Sequence, residues 1–225
     1  MDKEKISREY GAPNAYKYGL KITSPFVEEF SRVVEGGGET IYVAPGTRKT
    51  LVNNLSRPRL IIVSVEEEGV FEYEEKVEGE ARVKNDIHIF LRGRGARASI
   101  TARYALSGGS RLDILHKIYH EADETVSHIG SRGVLGGASH LIYRGGIDMC
   151  KGLKNLDGRE EAKFLVMSEN AKVDAIPALE IASREVRSSH ALSISRITEE
   201  ALFYPKLRGI AEEEACELIA SGFLN

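Results

Sequence analysis

The chain has 225 residues, with 31 Lys+Arg against 34 Asp+Glu for a formal net charge of −3, and is 42% apolar and 29% charged. That composition excludes disorder throughout and fits one large folded domain or two small ones, with enough length to bury a core without disulfides. Charges of both signs are mixed along it, so no basic stripe offers the phosphate-neutralising surface of a nucleic-acid binder.

The first ten residues, Met1 to Tyr10, carry both signs of charge and lack the apolar stretch of a secretory signal, so a soluble, cytoplasmic protein is expected. Residues 1–24 show no clear period. Pro25 to Val34 reads as one short helix, stopped by Gly36-Gly-Gly38. The longest apolar run, Leu60 to Val65, is far short of the roughly 20 residues that a membrane span needs.

From about residue 40 to 197 the pattern is all-β. In Ala98 to Leu106 the apolar residues hold the even positions while Ser99, Thr101 and Arg103 hold the odd ones, which makes a strand with one buried face. Phe71 to Tyr73, Ile87 to Leu91, Leu141 to Tyr143, Phe164 to Met167 and His190 to Ile194 read the same way. Turn signals recur at Gly95, Gly109, Asp123 and Gly137, each 14 positions after the last, with looser echoes at Gly152, Asn170 and Ser183. Such spacing implies stacked or repeated strands, and fits a parallel β-helix and an antiparallel sandwich equally. A left-handed hexapeptide helix would need a six-residue aliphatic recurrence that is not sustained.

The C-terminal texture is helical. Thr198 followed by Glu199 and Glu200 is an N-cap with two acids in the first turn, and Pro205 is expected to end or kink that helix. A second helix is expected over residues 211–220, with Ala215, Leu218 and Ile219 as its apolar stripe and Gly222 as its cap.

Chemistry-bearing motifs are sparse. Ala44 to Thr50 resembles the tail of a phosphate-binding loop, but Val43 and Arg48 stand where the glycines must be, which argues against ATP hydrolysis. Gly93-Arg-Gly95-Ala-Arg-Ala98 matches a dinucleotide fingerprint, yet a β-alternating run follows it where a helix must begin, so a tight turn is the better reading. His116 and His120, four apart, share a face of either a helix or a strand, and no third metal ligand is nearby in the sequence. No Gly-x-Ser-x-Gly elbow occurs. Cys150 and Cys216 stand 66 positions apart, which argues against a disulfide framework and against zinc knuckles. His190 shares parity with Leu192 and Ile194 and points to the apolar side, where a packed neutral imidazole explains it as well as a ligand does.

The C-terminal third adds a resemblance. Asp174 to Ile181, then Val186 to His190, Leu202 to Tyr204, Arg208 to Ile210, Glu213 to Ala215 and Gly222-Phe223 resemble, in order and spacing, the SufB/SufD family of iron–sulfur cluster assembly proteins. The resemblance continues more loosely upstream through His120, His128 to Gly133 and Arg144 to Ile147. It implies a right-handed parallel β-helix over residues 41–197, a short N-terminal extension over 1–40, and a helical segment over 198–225 that docks a SufC-type ATPase. Leu202, Phe203, Tyr204, Arg208 and Gly209 are the implied docking residues. Pairing through the core is implied, with a SufB-like subunit or a second copy.

SufB-type members carry a Cys and a Glu where this chain has Ala162 and Ala191, so the resemblance is to SufD, with His190 as the interface or metal candidate. It implies a noncatalytic scaffold with no tightly bound cofactor in the isolated chain, and an iron–sulfur cluster in the assembled complex. A self-contained homodimer with a metal or cluster of its own is the alternative.

Overall fold

The computed structural model describes residues 35–224 together with Phe26, Phe30, Arg32 and Val33. The helix expected over residues 25–34 therefore falls mostly outside the described residues. Twelve strands follow one another: β1 (Glu39–Val43), β2 (Arg48–Asn53), β3 (Arg59–Val65), β4 (Val70–Gly79), β5 (Arg82–Leu91), β6 (Arg97–Leu106), β7 (Arg111–His120), β8 (Val126–Leu135), β9 (His140–Met149), β10 (Leu156–Val166), β11 (Lys172–Ile181) and β12 (Val186–Arg196). Two helices close the chain, α1 (Glu199–Leu207) and α2 (Glu212–Leu224).

The odd-numbered strands form one six-stranded sheet, in the order β1-β3-β5-β7-β9-β11, and the even-numbered strands form the other. Every pairing is parallel. The chain therefore climbs as a parallel β-helix, two strands to a rung, which resolves the choice that periodicity left open. Arg82, Arg111 and His140 are successive register partners, so the middle rungs take 29 residues each. The 14-residue turn spacing is half a rung, a ten-residue strand plus a short turn.

Because parallel neighbours stack without offset, each inner side chain meets one from the rung above and one from the rung below. Val77, Tyr104, Gly133, Phe164 and Ile194 form one such column. Gly133 makes room for the rings on either side, since a Cβ there would lie 2.9 Å from Phe164. Isoleucines repeat on the odd sheet in the other apolar cluster, with Ile89, Ile118 and Ile147 in register and fully buried. Each such side chain contributes about 1.5–3 kcal/mol by leaving water. The outer face of the odd sheet also holds buried charge. The Lys84 ammonium lies 2.9 Å from Asp86, 3.2 Å from Asp113 and 4.7 Å from the Phe30 ring centre, and Arg144 also pairs with Asp113.

The helices fold back along the outer face of the even sheet, where α2 meets β6 and β8. Thr198 caps α1 as expected, its Oγ1 accepting from Ala201 N at 3.3 Å. Pro205 lies inside α1, which ends two residues later, and Gly209, at φ 79°, turns the chain toward α2. Gly222 does not cap α2. It lies within the helix, because the last carbonyls find tertiary donors: Arg103 Nε reaches Leu224 O at 3.0 Å and Arg132 Nη1 reaches Phe223 O at 3.2 Å. The expected apolar stripe of α2 is likewise narrower, with Ala215 fully buried and Leu218 exposed.

Rung stacking makes two glycines behave differently. A Cβ on Gly93 would sit 1.8 Å from the backbone nitrogen of Glu67 on the previous rung, whereas one on Gly152, at φ 84°, would meet nothing within 4 Å. Gly93→Ala is therefore expected to cost about 3 kcal/mol or more from backbone overlap, and Gly152→Ala only about 1–2 kcal/mol from left-handed strain. Urea unfolding of the two variants measures the difference, and equal losses would contradict the stacking.

Candidate functional site at the last rung

The two apolar clusters of the interior are separated by a polar layer. At its heart lies the Glu75 carboxyl group on β4. It accepts from Tyr73 Oη at 2.6 Å, Asn85 Nδ2 at 2.6 Å and Tyr104 Oη at 2.5 Å, and His116 Nε2 lies 3.3 Å away. Asn53 Nδ2 extends the layer downward by donating to Tyr73 Oη at 2.7 Å. Upward, Ser131 Oγ stands 3.4 Å from His116 Nδ1 and donates to Tyr143 Oη at 3.0 Å. Tyr143 in turn donates to Glu160 Oε1 at 3.4 Å. Burial, the neighbouring carboxyl groups and their hydrogen bonds push the phenols of Tyr73, Tyr104 and Tyr143 up, so all three remain donors.

The column ends at His190. Strand parity places this side chain inward on β12, as expected, and its register partner on β10 is Glu160. His190 Nε2 lies 3.9 Å from Glu160 Oε2, too far for a hydrogen bond, and is buried with no hydrogen-bond partner. The Glu160 side chain is 1% exposed and that of His190 is 24% exposed, so the histidine is the end reached from solvent. Burial pushes the Glu160 carboxyl up to about 7, against the opposing pull of the Tyr143 hydroxyl and the Lys117 ammonium. Burial also lowers His190. Glycine makes the space, since a Cβ on Gly145 would overlap Glu160 Oε1 at 1.6 Å.

Above this rung the β-helix is open. β11 and β12 are the terminal strands of their sheets, β12 is exposed along most of its length, and Ile181 and Ile194 are 43% and 48% exposed. Ala162 lies buried beneath Leu192, and Ala191 points outward and is exposed.

The other sequence candidates separate. His116 and His120 share the inner face of β7 but have different partners. His120 Nδ1 lies 2.7 Å from Thr125 Oγ1 and Nε2 lies 2.8 Å from Ser127 Oγ, so it staples the β7–β8 turn. Gly93 to Ala98 forms a turn leading into β6, and Ala44 to Thr50 a turn leading into β2, so neither opens a helix. Cys150, after β9, and Cys216, in α2, are both half-buried and far apart in the chain, and no group of three metal-ligating side chains occurs among the described residues. On α1, Phe203, Tyr204 and Leu207 are 63%, 62% and 68% exposed, while Leu202 is buried. The Arg208 guanidinium donates to Tyr204 Oη at 2.6 Å and lies 5.0 Å from its ring centre. Sequence reasoning missed Glu75, Ser131, Tyr143 and Glu160. Inward parity within each strand is the signal that marks them.

The geometry defines a parallel β-helix whose terminal strands, β11 and β12, leave an unpaired edge at the end where Glu160 and His190 lie. The comparisons give the family. Residues 53–223 match the family model described as SUF system FeS cluster assembly, SufBD core domain. An iron-sulfur cluster assembly SufBD family protein of Staphylococcus epidermidis (strain ATCC 12228 / FDA PCI 1200) is 33% identical over 134 residues, covering 60% of this chain and 29% of that protein. One of Staphylococcus aureus (strain USA300) is 34% identical over 135 residues, with the same coverages. The chain belongs to the SufBD family, and it spans less than a third of the length of these curated relatives. No described helix is long and apolar enough to cross a membrane.

Two measurements check the column and its neighbour. Glu75→Leu removes the shared acceptor of Tyr73, Asn85 and Tyr104 and is expected to cost about 3–5 kcal/mol in urea unfolding; a loss under 1 kcal/mol would show that the layer contributes little. His120 is lowered by burial to about 4 from an ordinary value of 6.5. Its contribution is therefore complete above pH 6.5 and is lost as pH falls toward 4. Between pH 7 and pH 5 this group costs the protein about 2 kcal/mol, so the stability gap between wild type and His120→Gln should narrow by that amount.

Proposed function

We propose that the chain is a noncatalytic, SufD-like scaffold subunit of a cytoplasmic Suf-type iron–sulfur cluster assembly complex. It pairs through the open end of its β-helix and docks a SufC-type ATPase through its C-terminal helices. The observation that carries the reading is the last rung: unpaired strand edges, half-exposed Ile181 and Ile194, and His190 turned inward beside them, in a chain of the SufBD family. Parallel stacking buries an inner side chain only when a further rung follows, so this end favours a partner that continues the sheets.

Ala162 and Ala191 support the SufD-like assignment. A methyl group cannot ligate iron as a thiolate or carboxylate does, so the partner must bring those ligands. The iron–sulfur cluster is cargo of the assembled complex, with His190 at the interface where it is handled. ATP chemistry belongs to the partner, because Ala44 to Thr50 leads into a strand without a glycine cradle. The exposed Phe203 and Tyr204 on α1 and Arg208 at its C-cap form the docking surface, Leu202 anchors the helix, and Gly209 sets the turn toward α2. A homodimer joined through the same rung is the second reading, favoured by an end that needs only a complementary β edge.

Phe203→Ala combined with Arg208→Ala should weaken co-purification with a SufC-type ATPase by about tenfold or more, as loss of an aromatic and an arginine anchor does; an unchanged complex would falsify the docking assignment. Ile194→Asp should convert the paired particle to a single chain in light scattering, because it buries a carboxylate at the seam. A wild-type chain that remains single both alone and with a SufB-like subunit would overturn the pairing.

A further inference from the structure

Glu160 and His190 are anomalous for a structural pair. A carboxylate buried in a β-helix interior is ordinarily held by two or more short hydrogen bonds. Glu160 receives one, at 3.4 Å, from Tyr143, and it goes to Oε1. Its other oxygen, Oε2, faces His190 Nε2, which is buried and has no hydrogen-bond partner. The two atoms stand 3.9 Å apart. Donors that share one first-row divalent ion, each roughly 2.0–2.2 Å from it, lie about 3.3–3.6 Å apart at the tetrahedral angle, so a shift of a few tenths of an ångström would bring this pair onto one ion.

The surroundings have the features of a built site. Ser131 donates to Tyr143, and Tyr143 donates to Oε1, which fixes the carboxylate with Oε2 toward the imidazole. Gly145 supplies the volume that the carboxylate occupies. His190 is the more exposed of the two and lies on the open rung, so an ion has a route of entry.

We infer that Glu160 Oε2 and His190 Nε2 form a two-donor half-site for a first-row divalent metal ion, completed by groups from the chain that covers the last rung. One imidazole and one carboxylate suit ferrous iron, manganese or zinc better than calcium or copper(I). Two donors hold such an ion weakly, and no third ligating side chain groups with them among the described residues. The half-site rests on the reading of the last rung as a pairing surface and adds to it a second ligand, Glu160, which lies one rung below the histidine.

The test uses the full-length chain, apo and under anaerobic conditions, titrated with cobalt(II) chloride and followed by visible absorbance, with competition by ferrous iron. Light scattering on the same samples reports pairing. Wild type should bind one cobalt ion per His190 with a ligand-field spectrum, and both Glu160→Gln and His190→Ala should weaken binding by about tenfold or more while pairing is kept, as removal of a ligand does. Glu160→Asp, which retains the carboxylate, should recover part of the affinity. A paired protein that binds no cobalt, or binds it equally well as Glu160→Gln, overturns the half-site and leaves the pairing standing; a water molecule between the two groups gives this result. Equal cobalt affinity in wild type and in single-chain Ile194→Asp overturns completion of the site across the rung. A wild type that pairs neither with itself nor with an added SufB-like subunit overturns the underlying reading.

Discussion

Every inner side chain of this molecule depends on a neighbour one rung away. Parallel strands in exact vertical register place residue on residue, so Tyr104 is packed by Val77 and Gly133, and Phe164 by Gly133 and Ile194. The column tolerates bulky rings only because a glycine alternates with them. The same dependence fails at the last rung, where no further strand arrives. Ile194, which would be core one rung lower, is half-exposed there for that reason alone.

The polar layer obeys the same constraint. A buried donor or acceptor is costly unless it is paired. Glu75 is satisfied because β4, β5, β6 and β7 each bring a group to it. Glu160 has β9 for a partner but only His190 on the side of the open end, and His190 Nε2 has no hydrogen bond. Polar satisfaction thus declines toward the opening. The interior chemistry and the unpaired strand edges lead to the same end of the molecule.

Some elements were plain in the sequence, and others could not be. β6 alternates cleanly because its outer face is solvated, and Thr198 announces α1 because capping is a local interaction. β7 is ambiguous because both of its faces are buried: Asp113 and Lys117 point one way and His116 and His120 the other, which erases the polar-apolar alternation. Glu160 was hidden among the charges of the opposite parity, Asp157, Arg159, Glu161 and Lys163, and only the even parity it shares with Leu156, Ala162 and Phe164 marks it as inward. Gly222 misled for a related reason. Its role as a cap depended on whether distant arginines would satisfy the helix end.

By itself the sequence determined the all-β class, the half-rung period, the opening of α1 and the inward direction of His190, because each follows from local sterics, parity or capping. It also carried the family, through motifs spread over the C-terminal third. The parallel stacking that periodicity left open was implied by that resemblance and is borne out; only the tertiary structure decided that Glu160 lies beside His190, that His116 and His120 serve different partners, and that Phe203 and Tyr204 remain exposed. These depend on register between strands about a rung apart, and no local interaction encodes which residue will stand above which.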